Sequence, residues 1–252
     1  MDLSAIARRV LGSIDLTDLS DDTSDAAVAL LCARACGPFG PTAAVCVWPR
    51  YVATAVAELD GTHVRVATVV NFPHGGTDIA AVVDETLGAL EHGAHEVDLV
   101  LPYRAFLAGD IGSVTEMLDA IRAASGEAVL KVILETGGLV TTDRVRSAAR
   151  LAIDHGADFV KTSTGKTTVS ATLDAARVML EEIALTAHRV GIKPSGGIRT
   201  LADAADYLLL ADEVMGEGWA VPATFRLGAS GLLDAVEGAL RGDAPSATEG
   251  GY

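Results

Sequence analysis

The chain has 252 residues, half of them hydrophobic, which is enough for one large core and near the size of a single (β/α)8 barrel. Its 34 acidic against 19 basic side chains argue against a surface that attracts nucleic acid or anionic membrane, so an anionic substrate would need a local cationic pocket. No apolar run reaches membrane-spanning length, the start from Met1 to Arg9 lacks the regions of a signal peptide, and three cysteines make no disulfide framework; a cytoplasmic protein is expected.

Runs of β-branched and apolar residues bounded by turn residues predict strands at 14–17, 43–48, 64–71, 96–101, 128–135, 159–163, 191–194 and 225–229. Alanine-rich amphipathic segments predict helices at 24–36, 51–59, 77–92, 114–124, 142–155, 172–185 and 200–215. An extra helix precedes the first strand, and another opens at Ser230 and Gly231. This alternation predicts a parallel sheet with helical crossovers, and eight units in this length favour a closed α/β TIM barrel over an open doubly wound sheet. Thr77 before Asp78 and Thr142 before Asp143 are expected N-caps, and Gly93 and Gly156 expected helix ends. The barrel is expected over 1–241, followed by a flexible tail of small and polar residues at 242–252.

Cys32 and Cys36 stand one helical turn apart and read as a pair of helix-buried thiols rather than a metal half-site. His92 and His95 lie near Glu96 without a recognisable set of further ligands, and no metal is expected.

The lysines carry the strongest chemical signal. Only four occur beside fifteen arginines, and Lys131, Lys161 and Lys193 each sit inside an apolar strand, where a charge is costly unless it reaches water or a partner. They are spaced by thirty and thirty-two residues, about one βα unit, so they are expected at similar height on consecutive strands, converging at the C-terminal mouth of the barrel. The plainer reading pairs each with a buried carboxylate such as Asp98 or Glu135. A lysine differs from an arginine in that its amine can lose a proton when desolvated or crowded by another cation, and only the neutral amine attacks a carbonyl. Lys193 beside Lys161 could bring the nucleophile toward a pKa of roughly 7 to 8, although the residues themselves leave open which of the two attacks. Asp98, in the apolar stretch Glu96 to Val100, is expected on the same cavity as a proton carrier, a counter-ion to the lysines, or both.

Three small-residue turns follow the last predicted strands, at 163–167, 195–197 and 228–231. Glycine lets backbone amides approach an anion closely, and a helix opening at Ser230 and Gly231 favours negative charge, so a phosphate is expected here. The string Thr164-Gly165-Lys166-Thr167 is not a nucleotide-binding P-loop, because Val160 stands where that motif needs its first glycine.

The strings Ile14 to Thr17, Ala44 to Val47, Asn71 to Gly75, Glu96 to Asp98, Leu130 to Thr136, Phe159 to Gly165, Gly191 to Thr200 and Arg226 to Ser230 resemble the deoxyribose-phosphate aldolases, in family order. That resemblance implies a class I aldolase with Lys161 as the Schiff-base residue and Asp98 with Lys193 as the proton donor and acceptor pair. It puts Lys131, Cys46, Asp15 and Thr17 around the substrate, and Thr164, Gly165, Lys166, Gly196, Gly197, Ser230 and Gly231 around its phosphate. Many relatives carry two serines where this chain has Ser230 followed by Gly231, which loses a hydroxyl and keeps the backbone amide. The terminal Tyr252 is similar to a residue that assists proton transfer in relatives. The implied partners are a small-molecule sugar phosphate and acetaldehyde, with no cofactor, nucleic acid or membrane, and with a homodimer as the candidate assembly. Three other readings stay open: an aldolase or transaldolase for another sugar phosphate, a barrel that holds pyridoxal phosphate on Lys161, and a sugar-phosphate sensor without turnover.

Overall fold

The computed structural model describes residues 3–187 and 189–243. An N-terminal helix, α1 (Leu3–Ser13), leads into β1 (Ile14–Asp18), and βα units follow: α2 (Asp25–Ala35), β2 (Ala44–Val47), α3 (Val52–Glu58), β3 (Arg65–Val70), α4 (Ile79–Glu91) and β4 (Glu96–Val100). The second half adds α5 (Tyr103–Leu107), α6 (Ile111–Ser125), β5 (Val129–Ile133), α7 (Thr136–Leu139), α8 (Thr142–Asp154), β6 (Phe159–Lys161) and α9 (Leu173–Ala184). It ends with β7 (Gly191–Lys193), α10 (Leu201–Met215), β8 (Leu227–Ala229) and α11 (Leu232–Arg241).

All strand pairs are parallel, in the order β7-β6-β5-β4-β3-β2-β1-β8. The ends meet through bridges from Ile192 to Phe225 and from Ser195 to Gly228, which close the TIM barrel. The expected α/β barrel with an extra N-terminal helix is the fold observed.

Side chains alternate across each strand. Outward residues such as Leu16, Val45, Val97, Leu99, Val132 and Val160 join the large apolar core shared with the helices. Inward residues divide the barrel lumen in two. Cys46, Ala67 and Val69 on β2 and β3 form a separate small apolar cluster with Leu19. Toward β4 to β8 and β1 the lumen is ionic, with Glu96, Asp98, Lys131, Lys193 and Asp15 all buried.

Several boundaries differ from expectation for local reasons. The N-cap of α4 is Asp78, accepting from Ala81 N, and that of α8 is Thr141, accepting from Arg144 N; each is one residue away from the expected cap. Adjacent polar residues compete for the same orphan N–H, and the one in the right backbone conformation takes it. Asp110 caps α6 through Ser113 N, so that helix starts three residues before the expected 114. The strands β6 and β7 are three residues each, shorter than expected, because the chain leaves the ladder at Thr162 and Pro194 to build the mouth of the barrel. Cys32 is buried as expected, whereas Cys36 caps the end of α2 and is exposed. Tyr252 and residues 244–251 of the expected tail lie outside the described residues.

Candidate active site

Seven ionisable side chains meet inside the barrel. Asp98 on β4 accepts from all three strand lysines: Lys131 Nζ at 2.8 Å on one oxygen, and Lys161 Nζ and Lys193 Nζ, each at 2.7 Å, on the other. Lys131 also contacts Glu96 at 2.6 Å, and Lys193 contacts Asp15 at 2.6 Å. Arg226, just before β8, donates to Asp15 at 2.7 Å and to Glu96 at 2.9 Å. The register explains the convergence: Lys161 lies level with Lys193, and Asp98 lies level with Lys131. Lys131 pairs with Phe159, two residues before Lys161, so it sits one layer deeper than the similar height expected from spacing.

This arrangement separates the three amines. Burial opposes the charge on Lys131 and Lys193, but Asp98 and Glu96 for the first, and Asp15 and Asp98 for the second, outweigh it and hold both above the ordinary lysine pKa. For Lys161 burial wins. Desolvation lowers its pKa, Asp98 opposes the shift, and the neighbouring charge of Lys193 adds to it. The three ammonium groups in turn keep Asp98 well below the usual carboxylate range despite its complete burial.

Lys161 also opens on a cavity of about 360 Å3 at the C-terminal mouth of the barrel, with a side chain 5% exposed. Lys131 and Lys193 are fully buried beneath it. From the amine outward the cavity wall carries Thr17, Thr164, Gly165, Gly196, Gly197 and Ser230. Lys166 stands at its rim, exposed, with Nζ donating to Leu19 O at 2.8 Å. Gly165, Gly196 and Gly197 have φ of +77°, +85° and +81°, a conformation that favours glycine. Gly231 caps α11 without a side-chain hydrogen bond, which leaves the first N–H groups of that helix available to an anion. A second cavity, of about 610 Å3, shares Gly165, Gly196 and Gly197 but runs away from the lysines toward Tyr207. We place the chemistry in the smaller cavity, because it alone of the two is lined by Lys161.

The expected residues therefore fall into two tiers. Lys161, Thr17, Thr164, Gly165, Lys166, Gly196, Gly197 and Ser230 line the cavity, with Gly231 next in the chain. Asp98, Lys193, Lys131, Asp15 and Cys46 form the buried floor behind Lys161, and burial pushes the Cys46 thiol upward in pKa. Glu135, offered as a lysine partner, instead accepts from Thr164 Oγ1 at 2.5 Å and Thr167 Oγ1 at 3.1 Å and so holds the loop after β6. Glu96 and Arg226 are not among the site residues expected from the sequence, yet both belong to the cluster. The signal for Glu96 was its place two residues before Asp98, hence on the same inward face. His95 Nδ1 accepts from Val66 N at 2.9 Å, which occupies it structurally. No group of three or more metal-ligating side chains is arranged around an ion site among the described residues.

A model of the DeoC/LacD family of aldolases matches residues 9–230. A deoxyribose-phosphate aldolase of Agrobacterium fabrum is 51% identical over 248 residues, covering 98% of this chain and 96% of its own length. Among solved structures, a candidate deoxyribose-phosphate aldolase from Coccidioides immitis superposes with a TM-score of 0.82 at 33% identity, covering 95% of this chain and 87% of the other. The deoxyribose phosphate aldolase of Aeropyrum pernix, described as a tetramer, superposes with a TM-score of 0.75 at 26% identity, covering 94% and 92%.

Proposed function

The chain belongs to the DeoC/LacD family of aldolases and is therefore a carbon–carbon lyase, and we propose that it reversibly cleaves 2-deoxy-D-ribose 5-phosphate to D-glyceraldehyde 3-phosphate and acetaldehyde through a Schiff base on Lys161. The observation that carries this reading is the contrast among the buried lysines: Lys161 alone of the three faces the cavity, and it alone has a lowered pKa.

In the cleavage direction the neutral Lys161 amine adds to the sugar aldehyde, and loss of water leaves an iminium. Removal of the proton from the C3 hydroxyl lets the C2–C3 bond break, with its electron pair drawn into the iminium to form an enamine. Glyceraldehyde 3-phosphate leaves, the enamine carbon is protonated, and hydrolysis frees Lys161 and acetaldehyde. The iminium is the electron sink, so each step uses side chains of the chain itself. Asp98 and Lys193, bonded at 2.7 Å beside the reacting nitrogen, carry the protons. Lys131 and Asp15 hold that pair, while Thr17 and Cys46 shape the near end of the site. Thr164, Gly165, Lys166, Gly196, Gly197, Ser230 and Gly231 bind the phosphate, which gives the strongly acidic chain the local cationic and amide-rich pocket that an anionic substrate needs.

The three free thiols fit a reducing, cytoplasmic compartment, and no helix among the described residues is long and apolar enough to cross a membrane. A homodimer remains the proposed assembly.

The test is donor choice. With glyceraldehyde 3-phosphate as acceptor, acetaldehyde is expected to give deoxyribose 5-phosphate and dihydroxyacetone no product. Turnover with dihydroxyacetone and none with acetaldehyde would assign the chain to another sugar-phosphate aldolase.

A further inference from the structure

Arg226 and Glu96 belong to the buried cluster but lie outside the cavity wall, so neither has a place in substrate contact. Each is nonetheless held firmly. Arg226 is 6% exposed, donates to Pro222 O as well as to the two carboxylates, and stands over the Phe159 ring at 5.6 Å. Glu96 is 1% exposed and shared between Arg226 and Lys131.

The cluster contains four cations, Lys131, Lys161, Lys193 and Arg226, against the three carboxylates Asp15, Glu96 and Asp98. With every group ionised it holds one excess positive charge in a closed, poorly solvated space. Loss of one proton removes that excess. Arginine does not supply it, because its guanidinium stays protonated in proteins. Lys131 contacts Asp98 and Glu96 within 2.8 Å, and Lys193 contacts Asp15 and Asp98 within 2.7 Å. Among the carboxylates of the described residues Lys161 contacts Asp98 alone, on the oxygen that Lys193 also uses. It is the amine that the arrangement leaves least compensated.

We infer that Arg226 and Glu96 are positioning residues whose opposite charges set the balance of the cluster, and that through this balance they determine how much of Lys161 is present as the free amine. The inference rests on the proposed Schiff-base chemistry and adds two residues to it. The groups that face Lys161 are Asp98 from β4, Lys193 from β7 and the Cys46 thiol from β2, with Lys131 of β5 and Asp15 of β1 behind them. Asp18, Lys166 and Arg199 line the same cavity. Arg226 neutralises Asp15 and Glu96, which would otherwise be free to stabilise the lysine cations. Glu96 does the reverse by neutralising Lys131 and Arg226.

The sign of each effect gives the test. Imine formation with acetaldehyde, trapped by cyanoborohydride, is measured against pH in the wild-type chain and in Glu96→Gln, Arg226→Gln and the double variant, with folding checked by circular dichroism. Removing the carboxylate charge is expected to move the rising limb to lower pH. Removing the guanidinium is expected to move it to higher pH, each by on the order of one pH unit, and the double variant should return close to wild type. A merely structural pair would not produce opposite shifts that cancel. Folded single variants whose limbs stay in place, or move in the same direction, overturn the inference. If Arg226→Gln does not fold, the other two decide: the limb must fall in Glu96→Gln and return in the double variant. If none of the three folds, the pair is structural and the inference also fails. Absence of trapping at Lys161 in the wild-type chain would instead defeat the Schiff-base reading on which this one stands.

Discussion

Asp98 spends its two oxygens on three ammonium groups, and no neutral acceptor could do the same. In Asp98→Asn one oxygen becomes an amide that must point its hydrogens at ammonium nitrogens, while the lysines lose their shared counter-charge. The expected result is a folded protein with kcat reduced about 10² to 10⁴-fold, the range for loss of a positioned proton carrier. A variant with wild-type kcat would show that the protons travel by another route. Residue by residue, the sequence is uneven as a guide. Lys131, Lys161 and Lys193 stand out because a lysine in an apolar strand needs a reason, and so does Asp98. Arg226 does not, since fourteen other arginines surround it in the composition and only the closed barrel brings it from the residue before β8 to Glu96 on β4.

Among the elements, the loop between β6 and α9 is the one whose order matters most to binding. Glu135 leaves β5 with φ +56° and is fully buried; its carboxylate takes the hydroxyls of Thr164 and Thr167, which fixes the loop that presents Gly165 and Lys166 to the cavity. Hydrogen bonds to a charged acceptor contribute about 1.5 to 3 kcal/mol each, so loosening this loop should cost binding rather than chemistry. Glu135→Ala is expected to raise KM for deoxyribose 5-phosphate at least about tenfold while leaving the rate with unphosphorylated deoxyribose near its wild-type value. Equal losses with both sugars would contradict the assignment of this loop to the phosphate. The long amphipathic helices and apolar strands were legible from periodicity. The short helices α5 and α7 were not, because four or five residues give no period to read, and Thr136–Leu139 begins with two glycines after its first threonine.

At the scale of the whole molecule, the barrel follows from eight repeats of one pattern, and the spacing of the lysines follows from the same repeat. That spacing placed Lys161 and Lys193 on one level, as the register has them, but it could not see the stagger that lowers Lys131 by one layer toward Glu96. Stagger belongs to barrel closure and not to any local run of residues. For the same reason the residues alone left the attacking lysine undecided: access to the cavity, which Lys161 has and Lys193 on the same level lacks, is a property of the closed lumen. The central claim is that Lys161 is the amine that bonds to the aldehyde. The most direct measurement is borohydride reduction in the presence of acetaldehyde, followed by peptide mass mapping of the wild-type chain and of folded Lys161→Arg. One ethyl adduct is expected, on Lys161, and none in the variant. An adduct on Lys193 or Lys131, or no adduct in the wild-type chain, would contradict the claim.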